Sequence, residues 1–270
     1  MTPQTDNWDQ IRSWHLVLPP SRPSATFLGH IRDFTKSVDR DLPVAVLGST
    51  VEFRDLLPEL GFTNVHVFER NLDFYHRTAS YRVYDSPERL LPGDWLDTIP
   101  PLQNVFALIL SDLTMGNIDY AARPHFYEGI TNALVPGGIF IDKVLTNQAP
   151  HLRIDALIEK YNSLPVNLLH VNHFSCEFLF CSELLAIAQV VDTTRFYAEL
   201  AQRFSENDRL KAFLRESPQI TPYGCVWHYG RSWSALRRDY CPRLTLVHCL
   251  EDDADSPYCE QLQIFVHRKN

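Results

Sequence analysis

The sequence predicts an open α/β sheet of mainly parallel strands that carries a largely helical addition. Three observations predict it. Between residues 43 and 145, short apolar runs alternate with helical patterns. Those runs are nearly continuous, as in Val105-Phe106-Ala107-Leu108-Ile109-Leu110, which marks strands covered on both faces. From 151 to 240 helical patterns dominate, and they are too many for a single crossover.

Taken in order, the Pro-rich hinge Pro19-Pro20-Ser21-Arg22-Pro23 leads to Ser24. That serine is placed to cap a helix running to about Lys36, with Phe27, Leu28, Ile31 and Phe34 on one face. Strands are expected at 44–48, 64–69, 105–111 and 138–145, with a short one near 88–92. Helices are expected at 51–60, 72–79 and 122–134. Further helical segments follow at 151–162, roughly 166–190, 193–204, 207–214 and 232–238. Strands return at 244–248 and 261–267, flanking the acidic loop 251–258; alternation in the second fits an antiparallel pair at a sheet edge. The expected organisation is an N-terminal helical segment (1–40), a core built from 41–150 and 241–270, and a mainly helical insertion or cap (151–240) over the sheet's carboxyl edge.

A chain of 270 residues suits one large domain or one domain with a sizeable insertion. Its 25 basic against 33 acidic residues give a formal charge of −8, which argues against nucleic acid or an anionic membrane as partner. The polar segment Met1–Asn7 has no basic and apolar signal-peptide pattern. The longest apolar run, near 178–191, is broken by Ser182, Glu183 and Gln189 and is too short to span a bilayer. Six cysteines form neither a CxxC pair nor a zinc-ligand spacing, so reduced thiols in a cytoplasmic protein are expected.

The chemistry-bearing residues gather at strand ends. Gly48 closes the first strand in a tight turn, and Glu69 closes the second 21 residues later. Such a turn lets the backbone approach a ligand, and the acid accepts hydrogen bonds from two ribose hydroxyls. The turn reads Gly48-Ser49-Thr50-Val51-Glu52-Phe53, with one glycine where a dinucleotide fingerprint has three. Gly93-Asp94-Trp95 follows the short strand. Asp112 opens the loop Leu113-Thr114-Met115-Gly116-Asn117, and Pro136-Gly137-Gly138 turns into the fifth strand. In open α/β sheets, ligands sit at this edge.

On these residues the sequence resembles the class I S-adenosylmethionine-dependent methyltransferases, over about 40–145 and the final strand pair. The resemblance implies a Rossmann-like sheet of seven strands, the last pair antiparallel, and S-adenosyl-L-methionine as cofactor. It implies that Gly48, Ser49, Thr50 and Glu52 face the methionine part. Glu69, with Arg70 beside it, would hold the ribose. Asp94 would take the adenine amino group with Trp95 at the base, and Asp112, Leu113 and Thr114 would lie beside the transfer site. Arg22 is a candidate partner for the methionine carboxylate, because guanidinium and carboxylate match bidentately.

A narrower similarity is to a bacterial subset with Gly-x-Thr-Pro-Glu in the first motif, Gly-Asp-Trp, and an upstream Arg-Pro-Ser. Here Val51 replaces the proline. Many members of that subset modify small molecules or peptides in secondary metabolism, which implies such an acceptor.

For a general base, His170 and His173 stand three apart in the helical insertion. A second cluster, Tyr223, Trp227, His228 and Tyr229, together with Asn117, suits an acceptor pocket for an aromatic or apolar substrate; ordinary aromatic packing would give the same pattern. Lys143 meets either an acidic substrate group or solvent. Cys176 reads as a buried inert thiol. The acids at 94, 97, 112 and 119 lack metal-ligand spacing, and Glu251–Asp255 lacks the glycine and terminal glutamate of an EF-hand, so no metal is expected. Three rival readings share parts of this pattern: an aminopropyl transferase, a nicotinamide-dependent oxidoreductase, and a degenerate methyltransferase fold acting as a cofactor-binding or partner subunit.

Overall fold

The chain is seen as a computed structural model that describes residues 14–19, 21–146, 151–184, 190–228, 242–252 and 261–270. Its main sheet grows outward from β1 (Val44–Leu47), whose four residues are all buried. β2 (Val65–Glu69) and β3 (Glu88–Pro92) lie parallel to it on one side. β4 (Phe106–Asp112) and β5 (Leu134–Leu145) lie parallel on the other. β6 (Val190–Asp192) and β7 (Val226–His228) form a separate antiparallel ladder. β8 (Leu244–Glu251) and β9 (Leu262–Lys269) complete the main sheet, in the order β3-β2-β1-β4-β5-β9-β8. Only β9 runs against its neighbours in this sheet. Strand order reverses between β1 and β4, which is the switch point where an open α/β sheet opens a crevice.

The continuous apolar strands are explained by two covered faces. Val44, Val46, Leu108, Leu110, Ile139 and Ile141 pack on one face against α1 (Ala25–Phe34) and α2 (Val51–Glu59). Ala45, Leu47, Ile109, Phe140 and Val144 pack on the other. α3 (Leu72–Ala79) follows β2, and α4 (Trp95–Thr98) follows β3. α5 (Arg123–Ala133) covers the second face with Phe126, Tyr127 and Ile130. Each fully buried side chain of this kind contributes about 1.5–3 kcal/mol. Ser24 caps α1 by accepting from the Phe27 N–H at 2.9 Å, and the helix ends at Phe34, two residues before Lys36.

The expected strands all form. β8 and β9 are longer than expected, and β9 lies inside the sheet with β8 at the edge. α6 (Ile154–Ser163), α7 (Leu168–Cys176), α8 (Thr193–Arg203) and α9 (Asp208–Glu216) build a separate apolar core around Tyr161, Phe174, Phe178 and Phe213. Leu262 of β9 joins it, tying that layer to the sheet.

The long helix expected over 166–190 is shorter. α7 widens into a π-helical turn, Glu177–Cys181, and stops where Ser182 turns extended and its hydroxyl donates to the Phe178 carbonyl at 2.7 Å. The helix expected at 232–238, and most of the acidic loop, lie outside the described residues. The β6–β7 ladder escaped sequence reading because each strand has three residues. Among the described residues no helix is long and apolar enough to cross a membrane.

Candidate functional site

A cavity of about 550 Å³ opens at the carboxyl ends of β1, β2 and β4. That is within the range of pockets that hold a cofactor or small ligand, roughly 300–1,000 Å³. One end is walled by the β1 turn, Glu69, Asp94, Trp95 and Asp112; the other by the loop after β4 and by Phe180, Ile220, Trp227 and His228 from the helical layer.

Gly48 adopts φ +84°, a conformation that costs a side chain dearly. A Cβ there would lie 3.8 Å from the Trp95 ring, so glycine keeps open the gap between turn and indole. Its N–H donates to the Phe68 carbonyl at 2.8 Å, and the Trp95 indole N–H donates to the same carbonyl at 3.1 Å. Glu69 is buried at the end of β2. Its carboxylate accepts from the Ser49 hydroxyl at 3.0 Å and from the Asn71 N–H at 2.8 Å. Each carboxylate oxygen keeps accepting capacity beyond one bond.

Asp94 caps α4, taking the Leu96 N–H at 3.0 Å, and pairs with Arg70 at 3.3 Å. Gly93, at φ +135°, precedes it. A Cβ there would come within 2.7 Å of the Thr98 methyl, so only glycine fits. Thr50 stands at the start of α2 with no side-chain cap, leaving N–H groups of the helix's first turn free of that partner.

Asp112 ends β4. Leu113 takes φ +57°, sparsely populated for a branched side chain, and turns the chain sharply into the cavity-lining loop. Lys143, fully buried on β5, holds Asp112 at 2.8 Å and Asp252 at 3.7 Å. Burial pushes the Asp112 carboxyl up to about 6, opposed by the nearby Lys143 charge. On the opposite face of β5, Asp142 is also fully buried, beside Ser111 of β4 in the strand register. Burial pushes it up to about 8, with the Ser111 hydroxyl pulling it back and Asp112 adding to the rise.

At the other end Arg123, buried on α5, donates to the carbonyls of Met115 at 3.0 Å, Ile118 at 3.3 Å and His228 at 2.6 Å. The Trp227 indole N–H donates to the Asn117 side-chain oxygen at 3.1 Å. These bonds fix β7 against the loop after β4, and β6 pairs with β7 from behind.

The structure gathers Gly48, Ser49, Thr50, Glu69, Arg70, Asp94, Trp95, Asp112, Leu113, Thr114, Asn117, Trp227 and His228 around this cavity. Other expectations are corrected. His170 and His173 do not line it. The His170 ring bonds the Pro165 carbonyl at 2.8 Å, and His173 is half-buried on α7, its basicity lowered by burial.

Tyr223 is exposed and packs on Tyr197 at 4.9 Å. Arg22 and Glu52 pair with each other, the Trp14 indole N–H also donates to Glu52 at 3.0 Å, and neither Arg22 nor Glu52 is among the residues that line the cavity. Lys143 meets buried protein carboxylates rather than substrate or solvent. Cys176 is buried, with the Ser21 hydroxyl 3.4 Å away. Tyr229 lies outside the described residues.

Sequence reading missed Phe180, Ile220 and Arg123 as wall residues. Met115 and Asp119 were within reach, being in or next to the loop that Asp112 opens. Nothing local marks Phe180 or Ile220, which only tertiary packing brings over the sheet.

No protein-family model matches the sequence, and no curated protein matches it. Solved structures do match. A Rhodobacter sphaeroides protein, provisionally described as a Zn-dependent alcohol dehydrogenase, is 15% identical; the match covers 99% of this chain and 98% of that one, with a TM-score of 0.61. An S-adenosylmethionine-dependent methyltransferase from Mesorhizobium loti is 14% identical, with 91% and 98% covered and a TM-score of 0.51. A Listeria monocytogenes protein provisionally described as such a methyltransferase is 13% identical, with 90% and 96% covered and a TM-score of 0.51. The chain shares a Rossmann-like α/β fold with these structures. Among the described residues no group of three or more His, Cys, Asp or Glu side chains is placed to hold a metal ion.

Proposed function

We propose that this protein is an S-adenosyl-L-methionine-dependent methyltransferase whose acceptor is a small molecule or peptide-like metabolite. The observation that carries the reading is Glu69. It is a buried acid at the end of the second strand, in the wall of the switch-point cavity, fixed by Ser49 and Asn71 beside a turn that only glycine fits well. That arrangement suits a ribose, whose two hydroxyls donate to one carboxylate.

The residues present fit the cofactor. Trp95, Leu96 and Asp94 would hold the base. The Gly48 turn and the first N–H groups of α2 would hold the methionine carboxylate, since a helix N-terminus favours an anion. This role replaces the one expected of Arg22. Asp112 lines the cavity where an ammonium group would meet it. The cofactor, when bound, supplies a methyl carbon already activated by a sulfonium. The chain's own contribution is therefore to hold acceptor and donor in line, exclude water and, for a hydroxyl acceptor, take up a proton.

The similarity of Gly48–Asp55 to the bacterial subset supports a metabolite of secondary metabolism as acceptor. Free thiols at Cys176, Cys181, Cys225 and Cys249 support a reducing, cytoplasmic setting.

Calorimetric titration with S-adenosylhomocysteine and with NAD tests the proposal. The expected result is micromolar binding of the first and none of the second. The reverse would favour the nicotinamide chemistry named for the Rhodobacter protein. Binding of neither would favour a scaffold role.

A further inference from the structure

We infer that the acceptor is a flat, largely apolar molecule with an acidic O–H, phenol being the simplest, and that His228 takes its proton; this rests on the methyltransferase reading. The end of the cavity away from Glu69 has apolar walls. Met115 comes from the loop after β4, Phe180 from the π-helical turn, Ile220 from beyond α9 and Trp227 from β7. Phe180 and Trp227 meet edge to face at 5.2 Å, a wall against which a planar ring packs well.

The polar groups there are mostly committed. Asn117 accepts from the Trp227 indole, and the Arg123 guanidinium is spread over three carbonyls, so it offers little to an anionic substrate. His228 differs. It lines the cavity, and its Nδ1 is buried with no hydrogen-bonding partner among the described residues. Nδ1 is closed off, so the lone pair offered to an acceptor is that of Nε2, and no bond to Nδ1 opposes the tautomer that places it there.

Position holds the ring still. The His228 carbonyl is clamped by Arg123, the strand is paired at Val190, and the ring packs edge to face on Tyr120 at 5.7 Å. The charged groups that bear on it are Asp119, which lines the cavity and favours the protonated ring, and Arg123, which disfavours it. Burial outweighs both and lowers the ring's affinity for a proton below the ordinary histidine value. A neutral imidazole therefore stands ready near neutral pH. In the step it serves, the acceptor's O–H bond breaks, the electron pair stays on oxygen, and the proton passes to the imidazole lone pair. Asp119 then acts as a positioning residue that stabilises the imidazolium.

The test uses the full-length protein saturated with S-adenosylhomocysteine, into which 4-nitrophenol and its methyl ether, 4-nitroanisole, are titrated by calorimetry. The two probes share ring and nitro group and differ in the proton that His228 would accept. The wild type should prefer the phenol by about tenfold, the worth of one hydrogen bond. That preference should vanish as the pH falls and His228 becomes protonated, a readout that needs no variant. H228F should bind both probes alike while still binding S-adenosylhomocysteine. D119N should move the pH at which the preference is lost downward, because the carboxylate that favours the protonated ring is gone. Equal affinity for the two probes in the wild type, a preference retained by H228F, or a preference independent of pH would each overturn the inference. So would failure of both probes to bind the loaded protein. Failure to bind S-adenosylhomocysteine in the first place would instead overturn the methyltransferase reading.

Discussion

Replacing Asp142 by asparagine should stabilise the protein, and by an amount that depends on pH. Asp142 is fully buried in β5, on the face that α5 covers, and burial pushes its carboxyl up to about 8 from an ordinary 3.8. The folded chain therefore keeps this proton across a range where the unfolded chain has released it. With more protons bound in the folded state, stability falls as pH rises from about 4 to about 8. Each pH unit costs about 1.4 kcal/mol, so at pH 7 the accumulated cost is about 4 kcal/mol. Asparagine has the same shape and no proton to lose. Its amide hydrogens carry a burial cost of about 1–3 kcal/mol where Ser111 cannot accept them, which trims the net gain. The pH slope is unaffected by that cost. Urea unfolding of wild type and D142N should show the variant's advantage growing by about 3 kcal/mol between pH 5 and pH 7. A difference that stays constant over that interval would refute the view that this carboxyl is neutral in the fold.

Three further outcomes follow from the site. E69A should weaken S-adenosylhomocysteine binding by at least about tenfold, since hydrogen bonds to a charged acceptor are worth about 1.5–3 kcal/mol each; unchanged affinity in calorimetry would put the ribose elsewhere. K143M leaves the buried Asp112 and Asp252 carboxylates without their cation. It should cost about 3–5 kcal/mol in urea unfolding near neutral pH, with part recovered in acid as Asp112 protonates. G48A should destabilise by roughly 1–2 kcal/mol, because φ +84° strains any side chain. It should also lower S-adenosylhomocysteine affinity, because the new methyl enters the gap facing Trp95; a variant that binds normally would mean this gap holds no ligand.

Much of the core was legible because its signals are local. Four buried residues ending at a glycine, or a serine three before Phe27, announce a strand end and a helix start without knowledge of the rest of the chain. The positions of Glu69, Asp94 and Asp112 at the carboxyl edge follow from strand boundaries alone. What was not legible depends on partners far away. Arg22 looks like a ligand for an anion until Glu52 is seen to occupy it. Lys143 looks solvated until Asp112 and Asp252 are found on either side of it. His170 and His173 sit on the right helical layer, but whether α7 brings them to the cavity depends on how that layer packs on the sheet, which no spacing rule reveals. Phe180 reaches the cavity from a π-helical turn, a geometry with no sequence signature strong enough to read.

The reversed strand also dictates the order of assembly. β9 pairs with β5 along Ile139–Leu145 and Leu262–Arg268, partners separated by more than a hundred residues. Until that pairing is made, β5 is an apolar strand with an open edge, a template for another chain. The entropy of closing so long a connection is modest, but search over such a distance is slow. The helical layer lies between the two strands in the chain and takes Leu262 into its own core, so it must be at least loosely formed for β9 to seat. Folding should therefore show a late, rate-limiting closure of the sheet. High protein concentration during refolding speeds the competing encounter between chains and should divert them into aggregates joined through β5.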